Sequence, residues 1–216
     1  MTSVLWFRRD LRLSDHPALT AAAEAGDVLP LVVLDPQQLV QAHAASRDYF
    51  LASVRALQGA LDGALVVRVG DAREVVPAVV REVGATAVHA SKDFGYRGEA
   101  RDAVVASALG DIPLVHTGSQ YVIAPGRVRK EDGTPYKVFT PFYKAWLKHG
   151  WRLPAEPARP MWRTAGSDDW SSFAPCTNLT IHAGEVAARE RWIAFQEHGL
   201  QGYKEGRDRA DLDHTT

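Results

Sequence analysis

The stretch Val4-Leu5-Trp6-Phe7-Arg8-Arg9-Asp10-Leu11-Arg12, four apolar residues running straight into charge, decides how the rest of the chain reads. A short β-branched or aromatic run of this kind is a strand buried on both faces. Similar runs recur at Val28 to Leu34, Leu65 to Val69 and Thr86 to Ala90, and a fifth strand is expected near Pro113 to His116 or Tyr121 to Ile123. The segments between them carry helix start signals and a period near 3.6. The first opens at Ser14-Asp15 with Pro17 in its first turn. The second starts after Ser46 and places Phe50, Val54, Leu57 and Leu61 on one stripe, a core face. The third begins Asp71-Ala72-Arg73-Glu74, where Asp71 can accept from exposed amides and Glu74 can reach back; Val75, Val79 and Val83 then face inward. A fourth covers Arg97 to Leu109.

Repeated strand, helix, strand units imply a parallel sheet with right-handed crossovers. Residues 1–125 are therefore expected to form an α/β domain, Rossmann-like and doubly wound around a five-stranded parallel sheet. Ligands of such domains sit beyond the carboxyl ends of the strands, where the strand order reverses. That location draws on Arg8 to Asp10, Leu34-Asp35-Pro36 and Ser91 to Tyr96.

The second half changes character. Residues 126–180, with Pro154, Pro157 and Pro160 in quick succession, read as a connector running over a surface. One short helix interrupts it, with Thr140 as N-cap, Pro141 first and Gly150 after the last turn. Residues 181–216 read as the start of a second, helical domain: a helix from about Ala183 to His198 anchored by Val186, Trp192, Ile193 and Phe195, stopped at Gly199, then a polar stretch from Gly202 to Arg209.

Composition narrows the function classes. The chain has 216 residues, 46% apolar and 24% charged, an ordinary globular balance that argues against a disordered or fibrous protein. With 25 Lys and Arg against 26 Asp and Glu, the net charge of -1 supplies no global field for a nucleic acid or a membrane, so any basic patch is local. Cys176, the single cysteine, cannot form an internal disulfide, and the opening apolar run is too short for a signal peptide. The longest apolar stretch, Val28 to Leu34, falls far short of the roughly 20 residues that span a bilayer, so a soluble, cytoplasmic protein is expected. The eight histidines show no His-x-x-x-His pair and there is no Cys-x-x-Cys, so no metal site is expected.

No Gly-x-Gly-x-x-Gly, Gly-x-x-x-x-Gly-Lys-Ser/Thr or Gly-x-Ser-x-Gly is present. The densest feature is Arg8-Arg9-Asp10-Leu11-Arg12, whose three guanidiniums could grip an anionic ligand bidentately. The alternative is that they pair with Asp10, Asp15 and other carboxylates to fix the first loop. On the residues alone both remain open, and the reading stops at an α/β binding domain.

Resemblance adds more. Val4 to Asp15 resembles the opening of the DNA photolyase and cryptochrome family, Pro135-Tyr136-Lys137-Val138-Phe139-Thr140-Pro141-Phe142-Tyr143-Lys144-Ala145-Trp146 resembles the signature after the family's last α/β strand, and Gly184 to Thr216 resembles the opening of its helical flavin-binding domain. The three matches fall in the family's order and cover the chain, which looks most like the N-terminal part of a class I deoxyribodipyrimidine photolyase. The resemblance implies an N-terminal α/β domain holding a light-harvesting antenna and an all-α domain holding FAD. In the family, reduced FAD excited by light passes an electron to a pyrimidine dimer in UV-damaged DNA and splits it, the lesion being flipped into the flavin pocket. Tyr203 resembles the tyrosine that contacts FAD, and Arg207 an arginine that holds lesion-strand phosphate. Thr215 and Thr216 resemble the start of the phosphate-binding Thr-Ser-Arg-Leu-Ser segment, with Thr in place of Ser at Thr216.

For the antenna, members using methenyl folate show an Asn-Glu pair where this chain has Arg97-Gly98. Leu34-Asp35-Pro36 with Asp93 to Arg101 looks more like members that use 8-hydroxy-5-deazaflavin, which implies a pocket lined by Arg9, Val33, Leu34, Asp35, Asp93 and Arg101. No catalytic residue is expected within these 216 residues, and the chain alone is expected to be inactive and monomeric. A cryptochrome-type blue-light receptor and a stand-alone α/β binding module are the alternatives to a repair enzyme.

Overall fold

A computed structural model describes residues 1–173, 179–209 and 211. The apolar runs become five parallel strands, β1 (Thr2–Phe7), β2 (Asp27–Leu34), β3 (Val66–Val69), β4 (Ala87–Lys92) and β5 (Leu114–Ser119), ordered β3-β2-β1-β4-β5 across the sheet. The fifth strand thus takes the first of its two expected positions. β1 is central, pairing with β2 from Thr2↔Asp27 to Phe7↔Val32 and with β4 from Ser3↔Ala87 to Leu5↔His89. The chain goes from β1 out through β2 and β3, then returns to the other side of β1 for β4 and β5. The strand order therefore reverses between β1 and β4.

Helices α1 (Pro17–Ala25) and α3 (Ala44–Ala60) cover one face, and α4 (Ala72–Val83) and α5 (Tyr96–Leu109) the other. Side chains alternate along β1 as a pleated strand requires. Leu5 and Phe7 join Leu19, Leu51 and Leu57 on the first face, whereas Val4 and Trp6 join Val76, Val79 and Val105 on the second. Each such fully buried side chain contributes roughly 1.5–3 kcal/mol.

Several local expectations change. A short helix, α2 (Pro36–Gln41), was not foreseen: Asp35 caps it by accepting from the Gln37 and Gln38 amides at 2.9 and 3.4 Å, with Pro36 in the first position. The inner face of α4 is Val76, Val79 and Val80, with Val75 and Val83 at its margins. A helix buries i, i+3, i+4 rather than a pure i+4 row. Asp71 caps α4 through the Arg73 amide (2.9 Å), but its second contact is the Arg73 guanidinium and not a reciprocal bond from Glu74. Helix α6 (Phe139–His149) starts one residue before Thr140, with Val138 at the N-cap and no side-chain cap. Pro141 is tolerated in its first turn, where amides lack helical acceptors anyway. The expected helix from Ala183 to His198 is split into α7 (Glu185–Ala194) and a π turn, Phe195–Gly199, closed by the bond from Leu200 N to Phe195 O at 2.8 Å; α8 (Tyr203–Gly206) follows.

The irregular segment after α6 acts as a strap on the sheet. β3 has four residues and begins opposite Leu31, so the first half of β2 lacks a strand on the side away from β1, and so does the outer edge of β3. The strap fills both gaps. Val28 N donates to Met161 O (2.9 Å) and Arg163 N to Val28 O (2.8 Å); lower down, Asp168 N donates to Val67 O (2.9 Å), Val67 N to Ser167 Oγ (3.1 Å) and Val69 N to Asp168 Oδ2 (2.8 Å). Trp162, Trp170 and Phe173 pack on the α1/α3 core, and the Arg55 guanidinium lies 4.5 Å from the Trp170 ring centre. An edge so covered offers no template for pairing with another chain. Trp162→Ala should lower the unfolding free energy by about 2 kcal/mol, below the cost of a fully buried indole because Trp162 is half-buried. Urea unfolding checks this, and an unchanged midpoint would show that the strap does not stabilise the sheet.

Candidate functional site

The alternation of β1 continues into the basic cluster. Arg8 follows Val4 and Trp6 towards α5, and Arg9 follows Leu5 and Phe7 towards the other side. Arg8 Nη1 donates to both oxygens of Asp102 on α5, at 2.6 and 2.7 Å, and Nη2 donates to the carbonyl of Ser91, which ties the end of β1 to the end of β4. Arg101 gives the same carboxylate Nε and Nη2 at 3.1 and 2.9 Å, and His116 of β5 places Nε2 3.0 Å from its other oxygen. Each of the two guanidiniums lies 4.9 Å from the centre of the Trp6 ring. Asp102 is 5% exposed. Burial pushes its carboxyl up; the hydrogen bonds from His116 and Arg8 and the charges of Arg8 and Arg101 outweigh that and bring it down to about 2.

Pairing with a carboxylate, the alternative to ligand binding, holds for Arg8 through Asp102, whereas Arg12 turns to backbone carbonyls. Arg12 donates to the carbonyls of Ser14 and Asp15 (3.2 and 2.8 Å), and Asp15 pairs with Arg152 (2.7 Å). Asp10 accepts from the Arg8 amide at 3.2 Å. Its Oδ2 faces His16 Nε2 at 3.2 Å, off the line of a good hydrogen bond. His16 Nδ1 accepts from Leu19 N, so the ring proton sits on Nε2, turned towards Asp10. Burial raises the Asp10 carboxyl, but His16, Ser91 and the Arg8 amide hold it well below the usual carboxylate range. Arg9 is left exposed.

Beyond the strand ends lies a cleft of about 390 Å³, between the end of β1, α2, the start of α3 and the rim of α5. Trp6, Phe7, Leu39, Ala42, Phe50 and Ala72 give it an apolar floor, and Arg9, Asp35, Gln38, Ser46, Arg47 and Arg101 a polar rim. Of the six residues expected to line an antenna pocket, Arg9, Val33, Asp35 and Arg101 line this cleft. Leu34 does not: its place in β2 turns it into the α1/α3 core, where it is fully buried, so this expectation is corrected. Asp93 lies in the adjoining recess with Ser91 and Lys92, accepts from Gly95 N at 2.9 Å and stands 3.5 Å from Arg101 Nη2. The reading of the residues missed Trp6, Arg47 and Phe50. Phe50 was assigned wholly to the core stripe of its helix, and Asp35-Pro36, a cap followed by proline, was the available signal that α2 would bring Gln38 and Leu39 to the cleft.

Tyr203 opens α8 and meets Phe195 edge-on, with ring centres 5.8 Å apart, while Arg207 follows α8 with 58% of its side chain exposed, 3.7 Å from Asp208. Thr215 and Thr216 lie outside the described residues. Among the described residues no helix is long and apolar enough to cross a membrane, and no cluster of three or more His, Cys, Asp or Glu side chains is placed to hold a metal ion.

A five-stranded doubly wound sheet with an arginine-rimmed cleft beyond the carboxyl ends of β1 and β2, strapped by its own connector and followed by helices, defines an α/β domain with a helical extension. The chain belongs to the DNA photolyase family, whose family model matches residues 3–161. It is 38% identical over 212 residues to a deoxyribodipyrimidine photo-lyase of Thermus thermophilus, covering 96% of this chain and 48% of that protein. It resembles the solved bacterial class III photolyase from Agrobacterium tumefaciens with a TM-score of 0.83 and 30% identity, over 99% of this chain and 48% of that one. An archaeal photolyase from Sulfolobus tokodaii, solved with two FAD molecules and described as implying a novel light-harvesting cofactor, shares the fold at a TM-score of 0.70 and 22% identity, over 90% of this chain and 46% of that one. The chain thus spans about half the length of these photolyases.

The Asp102 hub makes a pH prediction. A carboxyl held at about 2 in the native state against 3.8 in its ordinary environment contributes stability that is fully present above 3.8 and is lost as the pH falls through 2. The contribution is on the order of 2 kcal/mol. Unfolding free energy measured from pH 5 down to pH 2 should therefore fall, and Asp102→Asn should make that fall shallower by this amount; an equally steep fall in the variant would remove Asp102 as its source.

Proposed function

We propose that this chain is the antenna-bearing N-terminal portion of a deoxyribodipyrimidine photolyase, an enzyme that splits pyrimidine dimers in UV-damaged DNA with light and reduced FAD. The observation that carries the reading is the cleft: it lies beyond the carboxyl ends of β1 and β2 in a photolyase-family domain and has the volume and lining of a site for a flat aromatic ligand. Its apolar floor suits a planar ring system, and its guanidiniums, carboxylate and amide suit hydroxyl and ribityl groups. A chromophore held there would supply light absorption. The residues of the cleft bind it, orient it and exclude water.

Residues 1–125 form the antenna domain, 126–180 the connector and 181–216 the beginning of the FAD-binding domain on this reading. Tyr203 would contact FAD and Arg207 a phosphate of the lesion strand, with Thr215 and Thr216 opening the phosphate-binding segment of the flavin site. In support of the division, Tyr203 opens α8 and Arg207 caps its other end, and neither lines the antenna cleft. For the antenna we favour 8-hydroxy-5-deazaflavin over methenyl folate, because Arg97-Gly98 stands where folate-binding relatives carry Asn-Glu and because Arg9, Asp35 and Arg101 supply donors and an acceptor around an apolar floor.

The purified chain should bind 8-hydroxy-5-deazaflavin in a titration followed by absorption, and bind methenyl folate at least tenfold more weakly. A preference for the folate reverses the antenna assignment, and binding of neither removes the cleft as an antenna site. Under near-ultraviolet light with reduced FAD the chain alone should leave cyclobutane dimers intact, whereas dimer splitting would show that these residues already contain the repair site.

A further inference from the structure

We propose that Asp102 is the positioning residue of the cleft: without lining the cleft itself, it holds the Arg101 and Arg8 guanidiniums against the Trp6 indole and so sets the wall on which a chromophore rests. The inference depends on the cleft being a chromophore site, as proposed above. Trp6 and Arg101 line the cleft and Asp102 does not. An arginine at a cleft rim has a long, rotamer-rich side chain whose ordering costs entropy. Here that ordering is done in advance. One oxygen of Asp102 takes Arg8 and Arg101, and the other takes Arg8 and His116, so the bonds draw together the loop after β1, α5 and β5.

A second carboxylate brackets Arg101 from the loop before α5. Asp93 stands 3.5 Å from it and is packed so tightly on Gly98 that a Cβ there would overlap the Asp93 carboxyl group. Arg101 is thus held between two acids and against an aromatic face, while Arg9 at the same rim is exposed. The two rim arginines have different tasks: Arg101 is part of a preformed wall, and Arg9 is free to reach for a ligand. Preformed groups raise affinity by removing the cost of ordering them on binding.

Asp102→Asn keeps the size of the side chain but turns one acceptor into a donor, so it cannot serve two arginines and a histidine together. In nitrogen–proton NMR spectra of the whole chain, the Arg101 Nε–H signal, identified by its loss in Arg101→Lys, should exchange slowly in the wild type, quickly in Asp102→Asn, and slowly again in Asp102→Glu. The Kd for 8-hydroxy-5-deazaflavin should rise about tenfold in Asp102→Asn with a weaker induced circular dichroism of the bound chromophore, and recover in part in Asp102→Glu. Slow exchange of Arg101 Nε–H in Asp102→Asn, or wild-type Kd and dichroism in that variant, would overturn the proposal. Should Asp102→Asn fail to fold, Arg101→Gln removes the guanidinium and leaves the carboxylate in place; it should show the same tenfold loss, and wild-type binding by it would overturn the proposal too. If the wild type binds no chromophore, the antenna reading fails, and the exchange measurement alone decides whether Asp102 positions Arg101.

Discussion

β1 is paired on both edges and packed on both faces, and the other features of this domain follow from that confinement. A strand with no free edge and no wet face can carry no charged side chain along its buried length, so the ionisable groups are displaced to its carboxyl end. There the pleat sends Arg8 and Arg9 to opposite sides. Arg8 meets Asp102 on the α5 side and becomes part of the framework, whereas Arg9 emerges beside α3 and stays in solvent. Two neighbouring residues of one type therefore acquire different roles through the same alternation that sorts Trp6 from Phe7.

The second half of the chain is attached by polar contacts to backbone as much as by apolar burial. The strap completes the hydrogen bonding of β2 and β3. Further on, Glu185 in the first turn of α7 accepts from the amides of Leu13 (2.7 Å) and Ser14 (3.2 Å) and from the Ser14 hydroxyl. Burial pushes the Glu185 carboxyl up, and these bonds bring it below its ordinary value. The approach is close: Gly184, at φ +102°, lies against α3 so that a Cβ would come within 2.5 Å of Ala56 Cβ. The loop after β1 is thus gripped from two directions, by Asp102 through Arg8 and by Glu185 through its amides.

The parallel order of the strands, the helices between them and the place of the crevice were legible in the chain because each rests on local signals: short apolar runs, caps and the 3.6-residue period. The strand ends pointed to Arg9 and Asp35, and the family resemblance added Val33 and Arg101; all four line one cleft. Leu34 went astray because proximity to a strand end does not say which way the last side chain points; register does, and it turns Leu34 into the core. The inner face of α4, the first residue of α6 and the break after Ala194 were likewise beyond a reading of spacing, as each depends on what the helix packs against.

Local pattern and composition sufficed for the fold class and, with the family's ordered motifs, for membership, because apolar runs and turn residues act on their own segment of chain. Partner choice was not encoded that way. Asp102 is 94 residues from Arg8, and His116 and Arg101 reach it from two further directions. A carboxylate on a predicted helix could have faced solvent or any of several arginines. Only the packing of α5 on the sheet removed it from water, and a buried acid must then find cations and donors within reach. That requirement, which exists only once the chain is folded, selected Arg8 and Arg101 from among the arginines of this sequence and gave the cleft its wall.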